Sequence, residues 1–327
     1  MLRRSSYYEF DKEFKKNEKS LILGIDESGR GPLAGPLVVT GVILNPDFSH
    51  PEIQDSKKIS VSKREELFQI IKNNSKKIYV EIIWEKDIDD LNILGSTIFC
   101  IKKILKKSNE VKCKILIDGN KIIEDNDKIK FIVKGDSKSL SIAAASIIAK
   151  VTRDNLMNQY ALIFPEYDLE NNKGYGTKKH LDAIYMNGPT IIHRKSFNPT
   201  KKLIKSNKIY NIQKEYVMCE RYAAIHLIRK GIFIEEFNYS KEKLGKISII
   251  YFEGNKVIFS HILKMEKKDQ FTRNIQLNIE KIKYLSDLSK IYCSEKGLSY
   301  NIRFDVICVT FISDNQYILK IKNGIKV

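Results

Sequence analysis

The chain has 327 residues, which is enough for one large domain or two smaller ones. With 43% hydrophobic and 30% charged residues, its composition excludes an intrinsically disordered protein. The formal net charge is +17, and residues 201–327 hold 24 Lys and Arg against 13 Asp and Glu, so a polyanionic partner is expected.

The cysteines and the apolar runs set expectations about where the protein works. The five cysteines are scattered without a CxxC pair, which indicates reduced thiols rather than disulfides. The opening segment MLRRSSYYEF lacks the apolar core of a signal peptide, and no apolar run is as long as a membrane span. We therefore expect a soluble cytoplasmic protein with no membrane partner.

Strand-like and helix-like segments alternate along the first part of the chain. Residues 1–19 are polar and charged and predict a loose N-terminal arm. Apolar runs predict strands at residues 21–26, 36–44, 77–84, 112–118 and 128–136. Helical spacing and end charges predict helices at residues 60–73, 87–107 and 139–157. The first two strands are close enough to pair antiparallel, and the alternation predicts an α/β domain with a mixed, largely parallel sheet and helices on both faces.

The composition changes after the segment HRKSFNPTKKL, residues 193–203. A join rich in Lys and Asn follows, and we place the domain boundary near residues 203–212. The rest predicts a helix at about 214–230, three strands, a helix near 270–293 and two closing strands. The domains are therefore expected at 20–205 and 213–327, after an arm at 1–19.

Acidic residues end three of the predicted strands: Asp26 with Glu27, Asp118, and Asp136. If these strands are neighbours, the carboxylates meet at one edge of the sheet, where open α/β sheets bind ligands. No His or Cys accompanies them, so the cluster favours Mg²⁺ or Mn²⁺ over zinc. Two such ions about 3.5–4 Å apart would suit phosphodiester hydrolysis. For each carboxylate taken singly, a turn or capping role is the alternative.

Six segments resemble, in this order, the signature blocks of ribonuclease HII: GIDESGRGPLAGPLV, QDSKKIS, ILIDGN, VKGDSKSLSIAAASIIAKVTRD, NKGYGTKKHL and HRKSFNP. The resemblance runs from about residue 20 to 203 and implies a ribonuclease H-like fold. It implies a metal-dependent endonuclease that hydrolyses the RNA strand of RNA/DNA hybrids. It also implies cleavage 5′ of ribonucleotides embedded in duplex DNA, which leaves 3′-hydroxyl and 5′-phosphate ends.

The resemblance also implies roles for individual residues. The catalytic, metal-binding carboxylates would be Asp26, Glu27, Asp118 and Asp136. Substrate contacts would come from Gly29, Arg30, Gly31, Tyr175, His193, Arg194 and Ser196. Asp55, Ser56 and Lys57, the DSK block, would either contact a phosphate of the substrate or support the site from behind. The GRG element, residues 29–31, would approach the ribose 2′-hydroxyl, since glycine lets the backbone come close. Tyr175 would pack on the sugar that follows the RNA–DNA junction. Asp154 is expected to support the site without binding metal.

Residues from about 213 to 322 resemble the small YraN-like family, whose members have a restriction-endonuclease-like core. The resemblance rests on CERYAAIHLIRKGIFIEEFNYS, on GKISII followed by VIFSHILK, and on RFDVICV. Where that family has an aspartate, a glutamate and a lysine, this chain has Ser248, His261 and Leu263. Glu220 matches a further acidic position of that family, outside this set of three. The resemblance implies a smaller second α/β domain without catalysis, and a generic α/β pattern is the alternative.

Two other functions remain open at this point. The same carboxylates could serve a different ribonuclease H-like nuclease that acts on branched DNA, which the GRG element and Tyr175 disfavour. The chain could instead be a non-catalytic nucleic-acid-binding protein, which the complete set of carboxylates disfavours.

Overall fold

A computed structural model of the chain describes residues 6–17, 19–124, 126–205, 215–242, 244–265, 284–299, 301–313 and 316–325. These residues form two compact units. The first comprises the described residues up to Met157 and those from Glu170 to Lys205. The second comprises Asn158–Leu169 and the described residues from Glu215 onward. Within the described ranges, no helix is long and apolar enough to cross a membrane.

The first unit contains five strands and several helices. The strands are β1 (Leu21–Ser28), β2 (Leu37–Leu44), β3 (Ser75–Ile83), β4 (Cys113–Asp118) and β5 (Ile129–Ile132). The helices are α1 (Ser6–Lys12), α2 (Val61–Asn73), α3 (Glu85–Lys107), α4 (Leu140–Ile163), α5 (Leu169–Asn172), α6 (Lys178–Asn187) and α7 (Thr200–Lys205). Of these, α4 belongs to the first unit only as far as Met157, and α5 begins with the last residue of the second. Short 3₁₀ turns span Ser56–Lys58 and Gly135–Ser137, and a third, Pro165–Tyr167, belongs to the second unit.

The strands form one mixed sheet in the order β3-β2-β1-β4-β5. The prediction of a mixed sheet is confirmed, and so is the antiparallel pairing of β1 with β2. The prediction that the sheet is largely parallel is wrong, because β2 also pairs antiparallel with β3, and only the β1–β4 and β4–β5 pairs are parallel. A helix between two strands permits a parallel crossover but does not require one: α2 lies between β2 and β3, and that pair is antiparallel.

Helices cover both faces of this sheet, as predicted. On one face, Leu23 and Ile25 of β1 pack in a cluster with Ile101 and Ile104 of α3. On the other face, alternate residues of β2 join a cluster with α2 and α4. Because successive side chains of a strand point to opposite faces, β1 also contributes Ile22 to a separate small cluster with Leu116 of β4 and Ile142 of α4.

The first turns of α4 lie very close to the strands. A Cβ atom at Gly24 of β1 would be only 2.1 Å from the carbonyl carbon of Ser141. Nearby, Thr40 Oγ1 of β2 donates to the carbonyl of Ala145 over 2.7 Å. The run of small residues at 143–145 permits this approach. The helix that follows Asp136 is therefore seated directly on the strand that carries Asp26.

The prediction of a loose N-terminal arm is wrong for Ser6–Lys12. These residues form α1, in which Tyr8 and Asp11 are buried. Tyr8 joins the cluster that contains α2 and α4. The polar composition concealed this packing, because one aromatic ring and one hydrogen-bonded carboxylate are enough to bury a single face of so short a helix.

The second unit is built on its own five-stranded sheet, in the order β10-β9-β8-β7-β6. Its elements from Glu215 onward are α8 (Glu215–Arg229), β6 (Ile234–Lys241), β7 (Gly245–Glu253), β8 (Lys256–Lys264), α9 (Tyr284–Glu295), β9 (Asn301–Ser313) and β10 (Gln316–Lys322). This agrees with the predicted order of one helix, three strands, one helix and two strands. Residue 214 and the part of the second predicted helix before residue 284 lie outside the described residues. The restriction-endonuclease-like assignment stays a prediction.

We predict opposite effects for alanine at two glycines of the first unit. Gly24→Ala should lower the free energy of unfolding by about 1–3 kcal/mol, because the new methyl group collides with the backbone of α4. Gly95→Ala, within α3, should raise it by about 0.5–1 kcal/mol, because its Cβ meets only ordinary contacts and alanine favours a helix. Urea unfolding measures both, and equal stabilities of the two variants would contradict the close seating of α4.

Candidate active site

Three aspartates from separate elements converge at one edge of the first sheet. Asp26 lies on β1, Asp118 is the last residue of β4, and Asp136 lies on the turn Gly135–Ser137. One carboxylate oxygen from each lies within 4.8 Å of the others. The parallel register that pairs Ile25 with Ile117 places the first two side by side. Because all donors are carboxylate oxygens, the cluster suits a hard divalent cation such as Mg²⁺ or Mn²⁺.

The placement of Asp136 differs from the prediction in one respect. The strand expected at 128–136 ends at Ile132, and Asp136 follows on a 3₁₀ turn that precedes α4. Lys134, in that connection, adopts a left-handed conformation with φ +57°. The turn brings Asp136 back toward β4, and Gly135 N donates to Asp118 Oδ1 over 2.6 Å.

Glu27 stands beside this cluster and has its own partner. Its Oε1 accepts from Arg30 Nη1 at 3.3 Å. The three-aspartate group does not include it. The exposed Arg30 thus partly balances the negative charge of Glu27.

Burial and neighbouring negative charges raise the pKa values of three acidic residues in the site. Burial raises the pKa of Asp26 well above its ordinary value, and the charges of Glu27 and Asp118 raise it further. Burial also raises the pKa of Asp136, reinforced by Asp118. Burial and Asp118 raise the pKa of Glu27, against the opposing effect of Arg30. Like charges held together away from water need a cation nearby, and a divalent ion meets that need.

Two residues of the DSK block, Asp55–Lys57, are connected to the cluster: Lys57 directly and from solvent, and Ser56 through Ser146 in the interior. Lys57 Nζ lies 3.9 Å from Asp136 Oδ2, and its side chain is 80% exposed. Ser56 is buried, and its Oγ lies 3.0 Å from Ser146 Oγ, which in turn hydrogen-bonds to Asp26. Asp55 accepts from Lys57 N at 3.0 Å and so caps the short turn. The burial of Ser56 favours the supporting role, which is one of the two roles expected for this block.

Two buried arginines hold the GRG loop from beneath. Arg194 donates to the carbonyls of Gly29, Arg30 and Gly35 at 2.5–3.0 Å. Arg153 donates to the carbonyls of Ala34 and Pro36 at 3.1 and 3.0 Å. Both residues are fully buried. The substrate contact expected of Arg194 is therefore replaced by a positioning role, in which its fork of N–H donors satisfies carbonyls that turn inward.

The glycines of this loop are needed for two different reasons. Gly29 has φ +104°, and a Cβ atom there would meet Arg153 Nε at 2.3 Å. Gly31 faces outward, and a Cβ there would meet only Tyr175 Cε1, at 3.7 Å. Gly29 therefore allows the arginine to pack closely. Gly31 leaves open space next to the Tyr175 ring, which is 45% exposed.

His193 supports the Tyr175 segment through a second histidine. His193 Nδ1 accepts from Thr190 N at 3.0 Å, so its Nε2 carries the proton in the neutral ring and donates to His180 Nε2 at 3.1 Å. His180 Nδ1 then donates to the carbonyl of Tyr175 at 2.9 Å. Burial lowers the pKa of His193 to about 3, which keeps the ring neutral. His193 is buried, and this chain of hydrogen bonds links it to the backbone of Tyr175.

Ser196 and Asp154 complete the set of predicted residues. Ser196 N and Oγ donate to Asp89 Oδ1 at 2.8 and 2.5 Å, so its contact is with α3. Asp154 accepts from Arg64 at 3.3 Å and from Lys150 at 2.7 Å, away from the cluster. Sequence reasoning did not single out Arg153 or Asp89. The signals for Arg153 were its charge within the helix α4 and its place in the block that ends VTRD.

In the second unit, the positions compared with the YraN-like family are filled by an internal network. Glu220 is buried, and it accepts from Ser248 Oγ at 2.8 Å and from Lys246 Nζ at 2.9 Å. Burial and the nearby Lys246 lower the pKa of His261 to about 4. Leu263 belongs to the apolar core. Among the described residues of this unit, no group of three His, Cys, Asp or Glu is close enough to hold a metal ion.

Comparison with known proteins gives one family. The family model described as ribonuclease HII matches residues 23–200. The ribonuclease HII of Endomicrobium trichonymphae is 43% identical over 206 residues, which is 63% of this chain and 98% of that protein. The ribonuclease HII of Clostridioides difficile strain 630 is 48% identical over 174 residues, or 53% and 68% of the two chains. The crystal structure of ribonuclease H2 from Pyrococcus horikoshii OT3 is 24% identical with a TM-score of 0.47, and covers 57% of this chain and 98% of its own.

We predict that Asp26→Asn stabilises the metal-free protein and abolishes its stabilisation by metal. A carboxyl group with a raised pKa takes up protons on folding, so the free energy of unfolding should fall as the pH rises above about 4 without metal. The substitution should flatten that decline and raise Tm by a few degrees at pH 7. Mn²⁺ at 100 times its Kd should add about 2.7 kcal/mol to the wild type and little to the variant. Thermal unfolding between pH 5 and 8, with EDTA or Mn²⁺, measures both effects, and equal metal stabilisation of both proteins would contradict the assignment.

Proposed function

The chain belongs to the ribonuclease HII family, and we propose that it cuts duplex DNA 5′ of a single embedded ribonucleotide. As a type HII ribonuclease H it is a metal-dependent endonuclease that acts on RNA/DNA hybrids. In our proposal the cut leaves 3′-hydroxyl and 5′-phosphate ends, and the protein works in the cytoplasm. The observation that carries the proposal is the exposed ring of Tyr175 beside Gly31 of the GRG loop.

Asp26, Asp118 and Asp136, with Glu27 beside them, are the residues that would hold the metal. Their donor set fits Mg²⁺ or Mn²⁺, and we propose that two ions bind. Bound there, divalent ions would supply the positive charge that lowers the pKa of an attacking water and stabilises the leaving oxygen. The role of the protein is to hold the acids close together against their mutual repulsion.

Other side chains of the site face solvent and suit a phosphate backbone. Arg30 is exposed beside Glu27, and Lys57 is exposed beside Asp136. Both cations thus lie next to the carboxylates, where each can bind a phosphate oxygen of the strand that is cut. Such contacts orient the strand without distinguishing RNA from DNA.

Discrimination between RNA and DNA in our proposal belongs to the GRG loop and Tyr175. The 2′-hydroxyl is the group that marks a ribonucleotide, and Gly31 permits close approach of the backbone to it. The ring of Tyr175 can pack flat on the neighbouring deoxyribose, which lacks that hydroxyl. Arg194, Arg153 and His193 act indirectly, since they fix the two segments on which the recognising groups lie.

We propose that the second unit is a non-catalytic, YraN-like domain. The ion pair between Glu220 and Lys246 supports this, because the ammonium group neutralises the acid that a metal ion would need. Ser248 and His261, the latter neutral, do not replace carboxylates as ligands for Mg²⁺. The basic excess of residues 201–327 supports contact with a polyanion rather than a second cutting site.

We predict that Asp136→Asn abolishes metal-dependent cleavage, by at least about 100-fold, while binding of an RNA/DNA hybrid stays within about twofold. The change removes a metal ligand and leaves the phosphate-binding cations in place. Asp287→Asn, an equal change in charge at a side chain that is 68% exposed in the second unit, is the control and should behave as wild type. Cleavage and filter binding of one labelled hybrid measure the two properties.

The Asp136→Asn variant also tests whether the second unit cuts nucleic acid. Full-length Asp136→Asn should also leave single-stranded, duplex and branched DNA uncut in Mg²⁺ or Mn²⁺. Metal-dependent cutting by this variant would show catalysis outside the three-aspartate site. Wild-type protein that cuts branched DNA but no ribonucleotide-containing duplex would favour a different nuclease function.

We predict that Tyr175→Ala lowers kcat/KM more on a duplex with one embedded ribonucleotide than on a long hybrid, by about 10-fold or more. The first substrate has only one RNA–DNA junction that the enzyme can recognise, whereas a long hybrid offers many positions for cleavage. Tyr175→Phe keeps the flat ring and should stay near wild type on both. Equal losses on the two substrates would instead indicate general damage to the loop.

A further inference from the structure

The N-terminal helix reaches the beginning of α4, directly after the segment that carries Asp136. Asp11 of α1 is buried. Its Oδ1 accepts from Ser139 Oγ at 2.5 Å, and its Oδ2 accepts from Ser141 N at 2.9 Å and from Ser141 Oγ at 2.6 Å. One carboxylate, more than a hundred residues away in the sequence, thus makes three hydrogen bonds to this short segment.

Ser139 and Ser141 form the N-terminal turn of α4. Ser139 Oγ also accepts from Ile142 N at 3.2 Å, which is the hydrogen bond of an N-cap residue. The amide of Ser141 is one of the first donors of the helix and has no acceptor within the helix itself. Asp11 therefore holds the start of α4 with a side chain from outside the helix.

The same turn packs on β1. A Cβ atom at Gly24 would lie 2.1 Å from Ser141 C and 2.5 Å from Ile142 N. This contact is two residues before Asp26. The start of α4 is therefore held between the backbone of β1 and the carboxylate of Asp11.

The turn that carries Asp136 is tied to the same place. Lys138 N and Ser139 N donate to the carbonyl of Gly135 at 2.9 and 2.8 Å. A Cβ atom at Gly135 would lie 2.5 Å from Ile142 Cδ1, so this turn also packs against the first turn of α4. A shift of α4 along β1 would consequently move Asp136 with respect to Asp26.

We propose that Asp11 is a positioning residue of the metal centre, which sets the place of Asp136 relative to Asp26 and Asp118 by holding the first turn of α4 on Gly24. Asp11 touches neither substrate nor metal. This inference rests on the proposed metal site, so its test must separate the two.

The test is the affinity of the full-length protein for Mn²⁺, measured by calorimetry without substrate, together with Tm. Asp11→Ala should weaken Mn²⁺ binding by about 10-fold, in the range found for outer residues that orient metal ligands. The Mn²⁺ concentration for half-maximal cleavage should rise by a similar factor, with a smaller change in kcat at saturating Mn²⁺. Tyr8→Phe is the matched control, because it removes the bond from Tyr8 Oη to the carbonyl of Pro46, 3.3 Å long, and leaves the α4 contacts intact.

A purely structural role makes a different prediction. Asp11→Ala would then lower Tm while Mn²⁺ affinity stayed at the wild-type value, and that result would overturn the inference. Asp11→Asn keeps the size and one acceptor, and it provides the same comparison if the alanine variant does not fold, with an intermediate loss of affinity expected. If the wild-type protein bound no Mn²⁺, the proposed metal site itself would fail.

Discussion

Mutual repulsion among buried carboxylates is the constraint on which the first unit depends. One carboxylate oxygen from each of Asp26, Asp118 and Asp136 lies within 4.8 Å of the others, and Asp26 and Asp136 are buried while Asp118 is half-buried. Acids in this position move apart unless the backbone that carries them is rigid. Parallel pairing of β1 with β4 fixes the first two, and the close seating of α4 on Gly24 fixes the third. Rigid elements at these points keep the site assembled for a cation.

A second constraint concerns the loop that follows β1. Its carbonyls turn inward, where water cannot reach them, and buried carbonyls need donors. Arg194 and Arg153 supply those donors from two other segments. The outer side of the loop then remains available, with Gly31 next to Tyr175. Since His193 and His180 anchor the Tyr175 carbonyl in the same way, several residues of the signature blocks act beneath the surface rather than on it.

In the second unit, a lysine rather than a metal ion neutralises a buried carboxylate. Glu220 is buried more deeply than the aspartates of the first unit, yet Lys246 and Ser248 donate hydrogen bonds to it from within the protein. A built-in ammonium group has a single charge and no open coordination position. The two units therefore differ in what neutralises their buried acids, and this difference underlies our proposal that only the first one cuts.

Local sequence determined the order of the elements, the mixed character of the first sheet and the strand positions of Asp26 and Asp118, because apolar runs of strand length and their acidic ends are visible without a partner. It also indicated which residues belong to the site through ordered blocks. Only the tertiary structure decided which of their side chains are buried: Ser56, His193 and Arg194 are buried and support other residues, whereas Lys57 and Tyr175 are exposed. It alone revealed α1 and Asp11, and the turn that returns Asp136 to the cluster. Depth and long-range pairing depend on which segments pack together, and a residue type carries no record of its neighbours across a hundred residues.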